Sequence, residues 1–381
     1  MDYKKDFPAA WNITYFDSAA LVLKPKVAID AVNNYYQNIS ISSRTADTPL
    51  GNLVNSTINS VRQKVAHLID ATPQEVIFTS GTTESLNLIA NMFEQILTQE
   101  DEILLSPYNH SSNMVPWIEL ANKIGAKVII SEDLLNSITL KTKIIAFAQE
   151  NNTFNVPLDV ENIYAKANEV GAYVINDCAQ SISHQKNSLK NSHVIAFSCN
   201  KFYGPTGMGV LAIQEKLLKI LKPTKFGGGS VNEISSAQSW TIKDTIYKFE
   251  PGTPNLAGFF MFDKSLDYFN SIGYKQTQVI LNELSKYLHA QLKQLNNVEV
   301  FSQEGDYIAL INVKNINAQD VATYLGSKGI YTIAGIFCAH YLRNIKPNYS
   351  YLRISLGIYN TKEDIDKLIY HLKNGGDFYG F

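Results

Sequence analysis

The chain has 381 residues, which at roughly 150 residues per compact domain suggests two domains. With 18% charged and 45% hydrophobic residues it is neither disordered nor fibrous, and a formal net charge of −2 supplies no basic field for nucleic acid. Nowhere do about 18 apolar residues follow one another, and Met1-Asp-Tyr-Lys-Lys-Asp-Phe-Pro8 has no apolar run behind its lysines. Neither a membrane span nor a secretory signal is therefore expected, and the chain reads as cytoplasmic.

Along the chain, short β-rich runs alternate with helical patterns, the order of βαβ units and a largely parallel sheet. The expected strands are Glu75–Thr79, Glu102–Ser106, Lys127–Ser131, Lys143–Ala148, Tyr173–Asp177, Val194–Ser198 and Gly209–Ile213. Several are apolar throughout, as strands covered on both faces are. Amphipathic stretches at Ser85–Gln95, Val115–Ile124 and Val160–Val170 lie between them. From Phe262 to Leu295 the pattern becomes a long helix, with Ile280, Leu284, Leu288 and Leu292 on one stripe. Strands at Val298–Phe301 and Tyr307–Asn312, a helix over Ala318–Lys328 and a last helix over Thr361–Leu372 suggest a smaller α+β unit beginning near residue 265. No repeat or Pro/Gly/Ser-rich linker separates the units, so they are expected to pack together.

Three cysteines, Cys178, Cys199 and Cys338, form no CxxC pattern, and an odd count argues against a disulfide framework. The seven histidines include no HExxH pair, and no metal site is expected. Arginine occurs only at 44, 62, 343 and 353, so a retained arginine is a candidate for two-point binding of a carboxylate.

Three clusters carry chemistry. Phe78-Thr-Ser-Gly-Thr-Thr-Glu84 follows a strand and opens a helix, where free N–H groups and the hydroxyls of Thr82 and Thr83 can cradle an anion; the same residues also cap ordinary helices. Asp177 ends an apolar strand, where ligands of open α/β sheets collect, although a helix-capping Asp would look the same. Lys201 lies between a strand and the glycine-rich run Gly204-Pro-Thr-Gly-Met-Gly209, a place that packing explains poorly. Taken in order, an anion cradle, an Asp and a Lys at neighbouring strand ends match the phosphate, ring nitrogen and aldehyde of pyridoxal 5'-phosphate.

The blocks Tyr15-Phe-Asp-Ser-Ala-Ala20, Gly81-Thr-Thr-Glu84, Asn113-Met-Val-Pro-Trp117, Asp177-Cys-Ala-Gln180, Lys201-Phe-Tyr-Gly-Pro-Thr-Gly207, Phe249-Glu-Pro-Gly-Thr-Pro-Asn255, Gly335-Ile-Phe-Cys338 and Leu352–Thr361 run nearly end to end. In them the chain resembles the class V aminotransferase-like pyridoxal-phosphate enzymes, specifically the SufS-type cysteine desulfurases and selenocysteine lyases. The resemblance implies an α/β fold of type I. Its parts would be an N-terminal segment (1–22) packing on the small domain, a large cofactor-binding domain (23–265) with a mostly parallel seven-stranded sheet, and a small α+β domain (266–381).

It also implies roles. Lys201 would bind the aldehyde and move a proton at the substrate Cα, Asp177 would meet the ring nitrogen, Gln180 the ring hydroxyl, and His110 would stack on the ring. Thr82, Thr83, Ser198 and Asn200 would serve the phosphate, with Thr253 reaching in from a second subunit. Asn152 would lie near substrate and cofactor, Arg353 would clamp the substrate carboxylate, and Arg44 would sit at the entrance. Cys338 would carry the persulfide, on a loop that Gly335 could make mobile, while Cys178 and Cys199 read as packing residues.

The implied activity is a homodimeric cysteine desulfurase that converts L-cysteine to L-alanine. It would pass sulfur to an acceptor of the SufU, SufE or IscU type for iron-sulfur cluster or thio-cofactor assembly. The chain departs from the family pattern where an arginine and a histidine pair usually precede the cysteine, since Ile333, Ile336 and Phe337 stand there, and where a histidine usually precedes the lysine, here Asn200. Fewer nearby cations leave the thiol less help in ionising. A C–S lyase, selenocysteine lyase or aminotransferase that does not use Cys338 is thus the alternative chemistry, and a non-catalytic scaffold the alternative class.

Overall fold

The computed structural model describes residues 3–45 and 47–373; the ends of the outermost expected units, 1–2 and 374–381, lie outside the described residues. Its strands in chain order are β1 (Thr14–Tyr15), β2 (Val76–Thr79), β3 (Glu102–Leu105), β4 (Lys127–Ile130), β5 (Thr142–Ala148), β6 (Tyr173–Asp177), β7 (Val194–Ser198) and β8 (Gly209–Ile213). They continue as β9 (Val231–Ser236), β10 (Ser239–Ile242), β11 (Val298–Val300), β12 (Ile308–Val313), β13 (Ile330–Tyr331), β14 (Ile333–Gly335) and β15 (Tyr351–Ser355).

Seven strands form the main sheet in the order β2, β8, β7, β6, β5, β3, β4; only β8 runs against its neighbours. Alternation explains why these strands read as unbroken apolar runs. In β7, Val194 and Ala196 join the core on one face, while Ile195 and Phe197 join that on the other. In β3, Ile103 and Leu105 face the first of these layers and Leu104 a third. A strand buried on both faces has no polar side to show.

Helices Thr82–Phe93, Val115–Ile124 and Val160–Val170 cover the sheet; the last two end at Gly125 and Gly171, whose φ of 79° and 70° suits the left-handed turn that closes a helix. A helix over Pro49–Leu68 is started by Thr48, whose hydroxyl accepts from the Gly51 N–H, and buries Val54, Val61 and Val65. The long helical segment runs over Leu256–Leu292, earlier than its apolar stripe suggests, because Asn255 caps it through the Gly258 N–H. It breaks at Gly273, where φ is 75°.

A four-stranded antiparallel sheet, β11-β12-β15-β14, lies beyond that helix. The N-terminal segment lies against it: β1 pairs with β13 in a separate two-stranded sheet, and Asp17 bridges to Ser355 of β15. Among the described residues, no helix is long and apolar enough to cross a membrane.

Candidate active site

The main sheet's register sets side by side the strand ends from which the site is built: Ala148 of β5 pairs with Asp177 of β6, Asp177 with Ala196 of β7, and Ser198 of β7 with Gly209 of β8. A cleft of about 590 Å³ opens there, lined by Thr82, Thr83, His110, Ser112, Glu150, Asn151, Asn152, Asp177, Gln180, Ser198, Asn200 and Lys201 among others. Nine residues expected from the sequence, the two threonines, His110, Asn152, Asp177, Gln180, Ser198, Asn200 and Lys201, therefore share one cavity.

At one end of the cleft lies the N-terminus of the helix Thr82–Phe93. Its Thr82 N–H donates to Ser198 Oγ at 2.7 Å, and the Thr82 and Ser198 hydroxyls are 2.8 Å apart. The turn requires glycine. A Cβ on Gly209 would lie 2.5 Å from the Gly81 Cα, so two backbones meet where no side chain fits. Hydroxyls gathered at the positive end of a helix dipole can hold an anion.

Asp177 is buried, and Oδ1 accepts from the Ala179 N–H at 3.0 Å. Burial pushes its carboxyl up, while that N–H and the charge of Lys201 oppose the rise. Burial likewise holds the Lys201 amine below the usual lysine range, against the attraction of Asp177. A buried lysine that gives up its proton more readily can serve as nucleophile and base. Behind it, Lys24 Nζ donates to the carbonyls of Val22 and Asn200 at 2.6 and 2.7 Å, tying down the turn that carries Lys201.

Burial, followed by the charges of Lys201, His340 and Arg353, lowers the His110 pKa to about 4. Its Nδ1 accepts from the Ser112 N–H at 3.1 Å, and Ser112 Oγ lies 2.8 Å from Thr83 Oγ1, so the ring is fixed to the cradle. Gln180 donates to the Ala19 carbonyl at 2.7 Å.

Arg353, on β15, is 2% exposed. Its Nη2 donates to Asp17 Oδ1 at 2.7 Å, its Nη1 to the Asn152 carbonyl at 3.1 Å, and its guanidinium lies 4.5 Å from the Phe337 ring. Cys338 follows that ring in the chain and is exposed. Were its thiol ionised, the charge would act on both Lys201 and Arg353, so the residue stands within electrostatic reach of the cleft. Phe337 and Cys338 both adopt left-handed backbone, φ 55° and 59°, at roughly 1–2 kcal/mol each. Bonds to both of their carbonyls hold them there, from Asn152 Nδ2 at 2.8 Å and from Ser111 N–H at 2.7 Å. Cys178 and Cys199 are fully buried, and burial raises both thiols.

Two expected residues lie apart. Thr253 and Arg44 line a separate groove together with Gly229, Glu250 and Tyr247. Arg62, the other buried arginine, supports the fold by binding Glu250 through two bonds of 2.9 and 2.7 Å. Sequence reasoning missed Ser111, Ser112, Glu150, Asn151 and the pairing of Asp17 with Arg353. Asp17 stands in the quoted Tyr15–Ala20 block, and the two serines between His110 and Asn113, so proximity to those blocks was the available signal.

An elongated ligand with a phosphate at one end and a nitrogen ring bearing an aldehyde at the other fits this donor set. The hydroxyl-lined helix end suits the first, and the buried Asp177 and Lys201 the second. The class-V aminotransferase family model matches residues 14–368. A probable cysteine desulfurase of Ureaplasma parvum is 36% identical over 98% of this chain and 96% of its own length. The crystal structure of the Escherichia coli cysteine desulfurase CsdA (S-sulfonic acid) superposes with a TM-score of 0.90 at 29% identity, covering 97% of this chain and 96% of that one. The apo structure of a cysteine desulfurase from Thermococcus onnurineus superposes with a TM-score of 0.91 at 28% identity, covering 99% and 98%.

Proposed function

Because the chain belongs to the class-V aminotransferase family, we propose that it is a pyridoxal-phosphate-dependent cysteine desulfurase of fold type I, converting L-cysteine to L-alanine with Cys338 as the sulfur acceptor. One observation carries the reading: Lys201, Asp177, His110 and the hydroxyl-lined helix end share a cleft, and the exposed Cys338 stands within electrostatic reach of Lys201.

Thr82, Thr83, Ser198 and Asn200 would hold the phosphate of pyridoxal phosphate, Asp177 would keep a proton on its ring nitrogen, Gln180 would meet the ring hydroxyl, and His110 would lie against the ring. When bound, pyridoxal phosphate supplies an aldehyde for the substrate amine and a protonated ring that accepts the electron pair released at Cα. Arg353, fixed by Asp17, clamps the substrate carboxylate, with Asn152 beside it. Lys201, its pKa lowered by burial, takes the Cα proton. The Cys338 thiolate attacks the substrate sulfur. An S–S bond forms, the Cβ–S bond breaks with its pair left on Cβ, that carbon takes a proton, Lys201 returns a proton to Cα, and alanine leaves. The persulfide on Cys338 passes to a thiol of an acceptor protein of the SufU, SufE or IscU type, for iron-sulfur cluster or thio-cofactor assembly. His110, with its pKa lowered to about 4, is neutral at neutral pH and would orient the cofactor ring without adding charge.

Thr253 reaches the phosphate from the second subunit of a homodimer and Arg44 sits at the entrance, which is consistent with their lying in a groove apart from Lys201. A C–S lyase remains the second reading, favoured by Ile333, Ile336 and Phe337 in place of cations before the cysteine. The test is Cys338→Ser with L-cysteine as substrate. The proposal expects alanine formation to stop, whereas undiminished turnover, or pyruvate as the product of the unaltered protein, would favour the lyase.

A further inference from the structure

The segment before Cys338 carries Ile336 and Phe337, and both are anchored. Ile336 packs with Tyr108, Ala339 and Leu342, and Phe337 with Ala19, Leu310 and Tyr351 as well as over Arg353. Two apolar side chains thus fix the strand side of the turn, and Asn152 holds the Phe337 carbonyl. What holds the thiol's own residue is Ser111. Its N–H and its hydroxyl both reach the Cys338 carbonyl, each at 2.7 Å, across 227 positions of sequence. Because that hydroxyl donates its one hydrogen to the carbonyl, its contact with His340 Nδ1 at 2.9 Å has it accepting from the ring. His340 thereby braces the Ser111 hydroxyl, and acts on the Cys338 carbonyl only through it.

We propose that Ser111 is a positioning residue for sulfur transfer, acting through Cys338: its paired donors keep the left-handed turn of Phe337 and Cys338 in place, and with it the position of the thiol near the cleft. This rests on the reading of Cys338 as sulfur acceptor. Without the bonds, a non-glycine residue at φ 59° leaves the left-handed region, and rotation of its peptide carries the side chain away from the cleft. Ser111 touches neither Lys201 nor Asp177, so removal of the Cα proton does not depend on it.

Two variants separate its donors. Ser111→Ala removes only the hydroxyl. Ser111→Pro removes the N–H as well and is compatible with the backbone, because Ser111 opens the short helix Ser111–Asn113 and His110 has φ −60° and ψ 146°, a conformation allowed before proline. Ser111→Thr restores the hydroxyl. Two rates are measured for each holoenzyme, alanine formed from L-cysteine and exchange of the L-alanine Cα proton in D2O followed by NMR. At about fivefold per hydrogen bond, alanine formation should fall about fivefold in Ser111→Ala and about 25-fold in Ser111→Pro, with Ser111→Thr near the unaltered rate. Exchange should stay constant throughout. Unchanged alanine formation in Ser111→Pro would overturn the proposal, and so would a parallel fall in exchange, which would mean that Ser111 supports the whole cleft. Persistent alanine formation in Cys338→Ser would instead overturn the role of Cys338, whatever the Ser111 variants do.

Discussion

Asp17→Asn tests whether the buried arginine is held for substrate. Arg353 is 2% exposed, and Asp17 is the carboxylate paired with it among the described residues, 2.7 Å away with its side chain 18% exposed. An ion pair in open solvent would contribute about 0–1 kcal/mol, whereas removing one partner of a buried pair costs about 3–5 kcal/mol. Asparagine keeps an acceptor oxygen but removes the charge, and the carboxylate is partly solvated, so a value below that range, about 2 kcal/mol, follows. The assay is urea unfolding with and without the substitution, together with KM and kcat for L-cysteine. A lower midpoint and a KM raised about tenfold, the equivalent of 1.4 kcal/mol, are expected because the loosened fork no longer meets the carboxylate in a fixed plane. An unchanged midpoint and KM would refute the reasoning. A lower midpoint with KM unmoved would show that the pair serves the fold alone and that Arg353 is not the clamp.

His110 has its pKa depressed to about 4, so between about pH 4 and 6.5 the unfolded chain binds a proton that the folded chain does not. Stability of the cofactor-free protein should therefore fall as pH drops through that window, by up to about 3 kcal/mol from this residue, and its ring NMR signal should stay flat from pH 8 to 5. An inflection near the ordinary value for histidine would contradict this. Gly209→Ala would press a methyl onto the Gly81 backbone and should cost about 1–3 kcal/mol while opening the anion cradle. Pyridoxal phosphate titrated into the apoprotein should bind at least about tenfold more weakly, and unchanged binding would mean that this close approach does not shape the site.

The central strands are legible in the sequence because β5, β6, β7 and β8 have apolar middles buried on both faces, with polar residues such as Lys143, Asp177 and Ser198 standing only at their ends. The helix Pro49–Leu68 is not, since Asn52, Asn55, Ser56, Thr57, Asn59 and Ser60 weaken its apolar stripe and packing against Leu256–Leu292 supplies what local preference lacks. Strands β1, β13 and β14 are two or three residues long, and only partners far along the chain define them. The site divides the same way. Asp177 and Lys201 stand at strand ends that any βαβ reading brings together. Ser111 and Asp17 act through bonds spanning 227 and 336 positions, and no local pattern encodes such distances. At the turn of Cys338 the sequence shows only Gly335, whereas the packing of Ile336 and Phe337 and the two carbonyl bonds become visible only in three dimensions.

The account stands on a covalent link at one lysine. Borohydride reduction of the purified protein followed by peptide mapping locates it directly: the pyridoxyl label should appear on the peptide containing Lys201 and vanish in Lys201→Ala. A label on another lysine, or a protein that takes up no pyridoxal phosphate, would contradict it.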